Sequence, residues 1–177
     1  VTRLASDLLG VPADRIVYAQ GDTDLLPTGR GNGGSAATVV GVSAVKIALD
    51  DFITDGNGIA AAALGCEAGD LAYIDGTFSA PNGQNMTWAD IARHSNKAGG
   101  HSVLGEFTPP DVTYPNGCHV CEVEIDPKTG KVTLCDYVVV EDVGTVLSPD
   151  LVEGQMHGGV AQGIGQALGE NLLFDLQ

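Results

Sequence analysis

Two glycine-rich stretches hold the residues best suited to chemistry. The first, GDTDLLPTGRGNGGSAAT at 21–38, places four glycines between positions 29 and 34, directly ahead of Ser35. A loop of this kind feeding a helix leaves backbone N–H groups pointing outward. The helix dipole adds roughly half a positive charge at the same place, so the pair suits an anion. The pattern is not a P-loop, because it lacks the G-K-[ST] ending. Glycines 29, 31 and 34 do spell G-x-G-x-x-G, but outside a βαβ unit and without a later acidic partner. A flexible loop feeding a capped helix accounts for the same residues equally well.

The second stretch is VEGQMHGGVAQGIGQALGENLLFD. It carries six glycines, Gly154, Gly158, Gly159, Gly163, Gly165 and Gly169, within a helical segment. Each costs a helix about 0.5–1 kcal/mol relative to alanine. Their retention implies close approach of another helix, a sheet or a ligand. Gln162 lies between Ala161 and Gly163, which leaves its amide open to whatever packs there. Gln155 is seven residues away and shares its helix face. Close helix packing is the simpler account of the same glycines.

Other chemistry-bearing residues are less promising. Cys118-x-x-Cys121 falls in an alternating strand, where positions three apart face opposite ways, and His119 faces away from both thiols. A zinc site is therefore not expected, and Cys66, Cys118, Cys121 and Cys135 read as small core residues. Glu141, Asp142 and Glu153 are acidic candidates, with Asp142 ahead of Gly144 at a strand end and placed for turn chemistry. No nucleophile elbow, H-E-x-x-H or catalytic triad is present, so no catalytic residue is assigned.

The elements that must position these residues follow from periodicity. The spacing predicts a helix over 2–9 closed by Gly10, a short strand over 15–20, and a helix capped by Ser35 and broken by DGNG at 55–58. The small residues of that helix suggest burial. A short alanine helix (59–64), a hairpin around Asp75-Gly76, and a helix with a Thr87/Asp90 capping box follow. Residues 95–117 read as a connection. A long β-hairpin turns at 126–130, and the glycine-rich helix closes the chain. Helices separate the hairpins without a βαβ repeat, which predicts an α+β, two-layer domain.

Bulk composition narrows the function classes. The 177 residues carry 8 Lys+Arg against 23 Asp+Glu, a net charge of −15. Nothing here offers the basic face that a nucleic-acid backbone requires. No apolar run is long enough to span a bilayer. With 44% hydrophobic residues the chain can bury a core. The default location is the cytoplasm. The first and last residues suggest a domain cut at both ends.

The order of motifs adds more. GDT at 21–23, GSAAT at 34–38, VEID..TG.V at 123–132, EDVGTVLSP at 141–149 and EGQMHGGVAQGIGQAL at 153–168 resemble the large subunit of molybdenum hydroxylases. That family contains xanthine dehydrogenase, aldehyde oxidoreductase and aerobic carbon monoxide dehydrogenase. The resemblance runs through almost the whole chain, and LGVPADRI also suits it.

The resemblance implies that residues 1–177 are part of a molybdopterin-binding domain. It implies cofactor contacts at Gly34, Ser35, Ala36, Ala37, Thr38 and Gln162, with no metal ligand from this chain. Ala36 and Ala37 would contribute backbone only. It implies molybdenum held by molybdopterin, in the cytosine dinucleotide form, in the parent enzyme. The implied reaction hydroxylates an aldehyde, an N-heterocycle or a similar small substrate with water as the oxygen source. Electrons would leave through iron–sulfur and FAD subunits or domains. The family's catalytic Glu motif (G-E-x-P-like) and its upstream G-G-x-F-G loop do not occur in these residues. The isolated chain is therefore expected to be inactive and empty of cofactor. A non-catalytic structural or subunit-contact module of the same fold is the alternative, and a homo-oligomer is a compatible assembly. A mononucleotide-binding module is less favoured, since no Lys or acidic ribose partner lies near GRGNGGS.

Overall fold

The computed structural model describes residues 1–25, 29, 31, 33–95, 100–171, 173 and 174. The chain divides into two compact units, Val1–Thr113 and Tyr114–Gln177. The architecture is α+β, with β-hairpins set against helices, as the element order predicts.

The first unit opens with α1, Thr2–Leu9, which ends at Gly10 in the left-handed region (φ 59°). The last carbonyls of a helix need donors. Here two aromatic side chains supply them. The Tyr73 hydroxyl donates to the Leu8 carbonyl (3.1 Å), and the Trp88 indole N–H donates to the Leu9 carbonyl (3.0 Å). Gly10 stands against the Asp75-Gly76 turn, where a Cβ on Gly76 would lie 2.7 Å from the Leu9 oxygen.

That turn joins β1 (Ala72–Ile74) to β2 (Thr77–Ser79), and β3 (Asn85–Thr87) adds a third antiparallel strand in the order β1-β2-β3. Asp75 and Gly76 both have positive φ, 47° and 77°, as a two-residue hairpin loop with strand-matching twist demands. Strand β3 leads directly into α3, Trp88–His94. The expected capping box is present: Asp90 N–H reaches the Thr87 hydroxyl, and the Asp90 carboxylate accepts from Thr87 N–H at 2.8 Å.

The core of this unit is Ala60, Phe78, Met86 and Ile91, with Tyr73 and Trp88 packed against it. Phe78 is fully buried and meets the Trp88 ring edge-on at 4.9 Å. Burial of such a side chain contributes about 1.5–3 kcal/mol. The opposing wall is α2, Ser43–Leu64.

Helix α2 departs from its sequence reading in three ways. Ser35 does not cap it: that residue takes φ 57°, the helical path opens as a π-helical stretch over Ala37–Val42, and the N-cap position, Ala36, offers no side-chain bond. DGNG does not break it, because α2 runs unbroken to Leu64 and closes at Gly65 (φ 68°). The expected burial is confined to one face, through Gly56, Ala60 and Ala61. The strand expected over 15–20 is also absent. Ala13–Arg15 forms a 3-10 turn, and no neighbouring strand among the described residues offers residues 16–20 a ladder.

In the second unit β4 (Asn116–Ile125) pairs antiparallel with β5 (Val132–Asp142), with a bulge beside Glu122/Val123. Asp126 closes the turn by accepting from Lys128 N–H (2.8 Å) and the Thr129 hydroxyl (2.7 Å). Helix α4, Pro149–Leu168, follows with Ser148 at its N-cap position. It starts earlier and stops sooner than its sequence pattern suggests, because Gly169 and Glu170 both donate to the Gly165 carbonyl and end the helix. Among the described residues no helix is long and apolar enough to cross a membrane.

Candidate cofactor site

The loop ahead of α2 has the backbone for an anion cradle. Gly31 and Gly34 have φ 75° and 61°, and Ser35 follows Gly34 at 57°. Two successive residues in the left-handed region turn the chain sharply into the helix. Val40 N–H makes a helical bond back to the Ala36 carbonyl at 2.8 Å. The N–H groups of Ala37, Thr38 and Val39 lie ahead of that bond, at the positive end of a helical run reaching Leu64.

Space agrees with this reading. A Cβ added at Gly29, Gly31, Gly33 or Gly34 would meet nothing within 4 Å. Gly34, Ser35, Ala37 and Thr38 are exposed and Ala36 is half-buried. The five predicted loop positions thus form one contiguous opening. Ser35 and Thr38 supply hydroxyls, while Ala36 and Ala37 supply backbone alone. Arg30 and Asn32 of the glycine run lie outside the described residues. An extended anionic group fits the donor set at 33–38: backbone N–H groups, the Ser35 and Thr38 hydroxyls and no carboxylate.

Gln162 stands on α4 in the second unit and is exposed, flanked by Ala161 and Gly163. Gln155 shares its face. A Cβ at Gly154, Gly158, Gly159 or Gly163 would meet nothing within 4 Å, so these glycines leave the helix surface bare for close approach. The apolar side of α4, with Val152, Met156 and Val160, faces Tyr137 and Val139 of β5 across an open groove of about 720 Å³. His157 and Glu153 stand 4.0 Å apart at its rim.

The cysteines are not core residues. Cys118, Cys121 and Cys135 are exposed and Cys66 is half-buried. The hairpin that carries three of them has strand residues on both faces open to solvent in this unit, so small apolar side chains there do not become interior. Among the described residues no three His, Cys, Asp or Glu side chains cluster as metal ligands would.

Two polar arrangements escaped the sequence reading. On one hairpin face His119 Nε2 meets the Glu141 carboxylate at 2.8 Å, and His119 Nδ1 meets the Tyr137 hydroxyl at 3.2 Å. Gly117, paired with Glu141, leaves room for that carboxylate. Only the strand register reveals this, since it sets His119 opposite Val139, between Tyr137 and Glu141. In the first unit His101 Nε2 lies 2.9 Å from the Asp55 carboxylate, and its ring packs on Phe52 at 5.1 Å. The approach is close but is not an aligned hydrogen bond, because both buried ring nitrogens lack an aligned partner.

A family model described as a molybdopterin cofactor-binding domain matches residues 1–177. The chain belongs to that family. It is 34% identical to the carbon monoxide dehydrogenase large chain of Hydrogenophaga pseudoflava, over 96% of this chain and 22% of that relative. Its fold is similar to the crystal structure of the Cu,Mo-CO dehydrogenase in the carbon monoxide reduced state, with TM-score 0.84 and 30% identity over 98% of this chain and 23% of that one. Quinoline 2-oxidoreductase from Pseudomonas putida 86 is similar at TM-score 0.78 and 31% identity, again over 98% of this chain and 23% of that one. The chain thus spans less than a quarter of the length of these relatives, and its resemblance to molybdenum hydroxylase large subunits is borne out.

Proposed function

We propose that this chain is the pterin-binding portion of an oxidoreductase that hydroxylates aldehydes, N-heterocycles or similar small substrates with water as the oxygen source. The observation that carries the reading is the cradle at Gly34–Thr38, in a chain matched along its whole length by a molybdopterin-binding family. The loop N–H groups and the Ser35 and Thr38 hydroxyls hold the anionic part of the cofactor. The Gln162 amide gives it a further polar contact. When bound, the group supplies a molybdenum redox centre. This chain's own residues bind and orient it, and none moves a proton in the reaction.

The cytosine dinucleotide form of the cofactor is part of this reading, as are cytoplasmic location and transfer of electrons to iron–sulfur and FAD partners. The isolated 177 residues hold no cofactor and show no turnover in this reading. Metal and phosphorus analysis of the intact native protein tests it. About one molybdenum with bound pterin per chain is the expected result, and a clean protein without either overturns it. A non-catalytic subunit-contact module is the second reading. It is favoured by the exposed apolar strip Val120, Val138 and Val140 on the hairpin, which would also suit a homo-oligomer.

A further inference from the structure

Residues 101–109 have an unusual pattern. Burial alternates strictly along them: His101, Val103, Gly105, Phe107 and Pro109 are half-buried, while Ser102, Leu104, Glu106 and Thr108 are exposed. This is the period of an extended strand. Yet the segment belongs to no sheet, and among the described residues its backbone makes no hydrogen bond. Its inward side meets a helix.

Two contacts fix its direction. His101 lies against Asp55 and Phe52 on α2. Four residues later, Gly105 presses on Ala44 and Ala48 of the same helix, where a Cβ would fall 2.7 Å from the Ala48 nitrogen. Asp55 is seven residues beyond Ala48 and eleven beyond Ala44, roughly 10–17 Å at 1.5 Å per residue. Four extended residues span roughly 13 Å. The lengths agree, so the segment lies nearly straight and antiparallel to α2. Continued at that pitch, Phe107 reaches the level of about residue 42 and Pro109 that of about residue 38. Val39 and Val40 are already half-buried there.

We propose that residues 101–109 are a strap laid along α2 that walls the cradle at Gly34–Thr38 and holds its helix-opening N–H groups in place. His101 and Gly105 are positioning residues in this arrangement. Neither touches the cofactor. Gly105 is required because any side chain would lift the strap from Ala44 and Ala48, and His101 holds the near end by packing against Phe52 and Asp55. The proposal rests on the cofactor reading for what the cradle binds, but the strap itself does not depend on it.

Hydrogen exchange on the intact native protein, read at residues 40–42 in the first bonded turn, tests the strap. Gly105→Ala and His101→Ala should each speed exchange there roughly tenfold, with exchange in β2 and β3 unchanged. Leu104→Ala, on the outward side, should change nothing. No change in exchange at 40–42 would overturn the wall role. So would an equal loss of protection in β2 and β3, since that marks general unfolding. Pterin content measured on the same samples reads the functional proposal separately: a protein that never holds pterin removes that reading and leaves the exchange result standing.

Discussion

The Trp88 indole occupies the volume that a side chain at Gly56 would need, since a Cβ on Gly56 would lie 2.7 Å from two of its ring atoms and 2.9 Å from the Phe78 ring. A glycine in mid-helix costs about 0.5–1 kcal/mol, and here that cost admits the indole packed against the core. Gly56→Ala should therefore destabilise the first unit by about 1–3 kcal/mol through overpacking, less the helix-propensity gain. Gly58 is in the same helix with nothing within 4 Å of its added Cβ. Gly58→Ala should stabilise by about 0.5–1 kcal/mol. Opposite shifts in melting temperature are the expected result. Two shifts of the same sign would show that the Trp88 contact does not decide the site.

The same pair shows why DGNG misled. Two glycines, an Asp and an Asn within four residues are a strong local turn signal. The helix persists because Phe52, Gly56 and Ala60 lie on one face, and tertiary packing of that face outweighs propensity. Signals that rest on local geometry were legible in the sequence. The Asp75-Gly76 hairpin, the Thr87/Asp90 capping box and the β4–β5 hairpin depend only on neighbours in the chain. Ser35 failed as a cap because its left-handed φ is imposed by the loop before it. His119 with Glu141, and His101 with Asp55, could not be read without a register or a tertiary contact. For the candidate cradle, positions 34–38 rest on the family resemblance, and the backbone angles that shape them were not legible in the sequence.

The end of α1 depends on Tyr73, whose hydroxyl donates to the Leu8 carbonyl. Burial raises the Tyr73 ionisation above its ordinary value of 10.0, the Trp88 hydrogen bond opposes this, and the Asp75 charge adds to it. A raised value means the folded state favours the protonated phenol. That contribution is fully present below pH 10 and is lost as pH rises through the folded-state value. Tyr73→Phe should cost about 0.5–1.5 kcal/mol at neutral pH. It should also remove part of the alkaline loss of stability. Identical alkaline unfolding of Tyr73→Phe and the parent protein would refute the assignment.

The β4–β5 turn is expected to loosen in acid. Lys128 N–H, and then the Thr129 hydroxyl, hold the Asp126 carboxyl below its ordinary value of 3.8. A lowered value means the turn is supported above that pH and loses its support as pH falls through the folded-state value. Asp126→Asn keeps an acceptor but not the charge, so its turn should show no such acid step. Amide chemical shifts of Lys128 and Gly130 between pH 5 and 2 are the measurement, and a step of equal size in both proteins would count against the carboxylate.

Gln162 offers the sharpest test of the proposed cofactor contact on α4. It and Gln155 share a helix face two turns apart, and both are exposed. Their side chains are chemically identical, so helix propensity and solubility change equally when either becomes Leu. A hydrogen bond from a neutral amide contributes about 1 kcal/mol, and closer to 1.4 kcal/mol, or tenfold in affinity, in a water-poor site. Gln162→Leu in the intact protein should therefore lower pterin retention on dilution several-fold, while Gln155→Leu leaves it unchanged. Equal losses would mean the face packs against protein and not against the cofactor, which is the simpler reading of a glycine-rich helix. No loss in either would remove Gln162 from the site and leave the loop at Gly34–Thr38 as this chain's whole contribution.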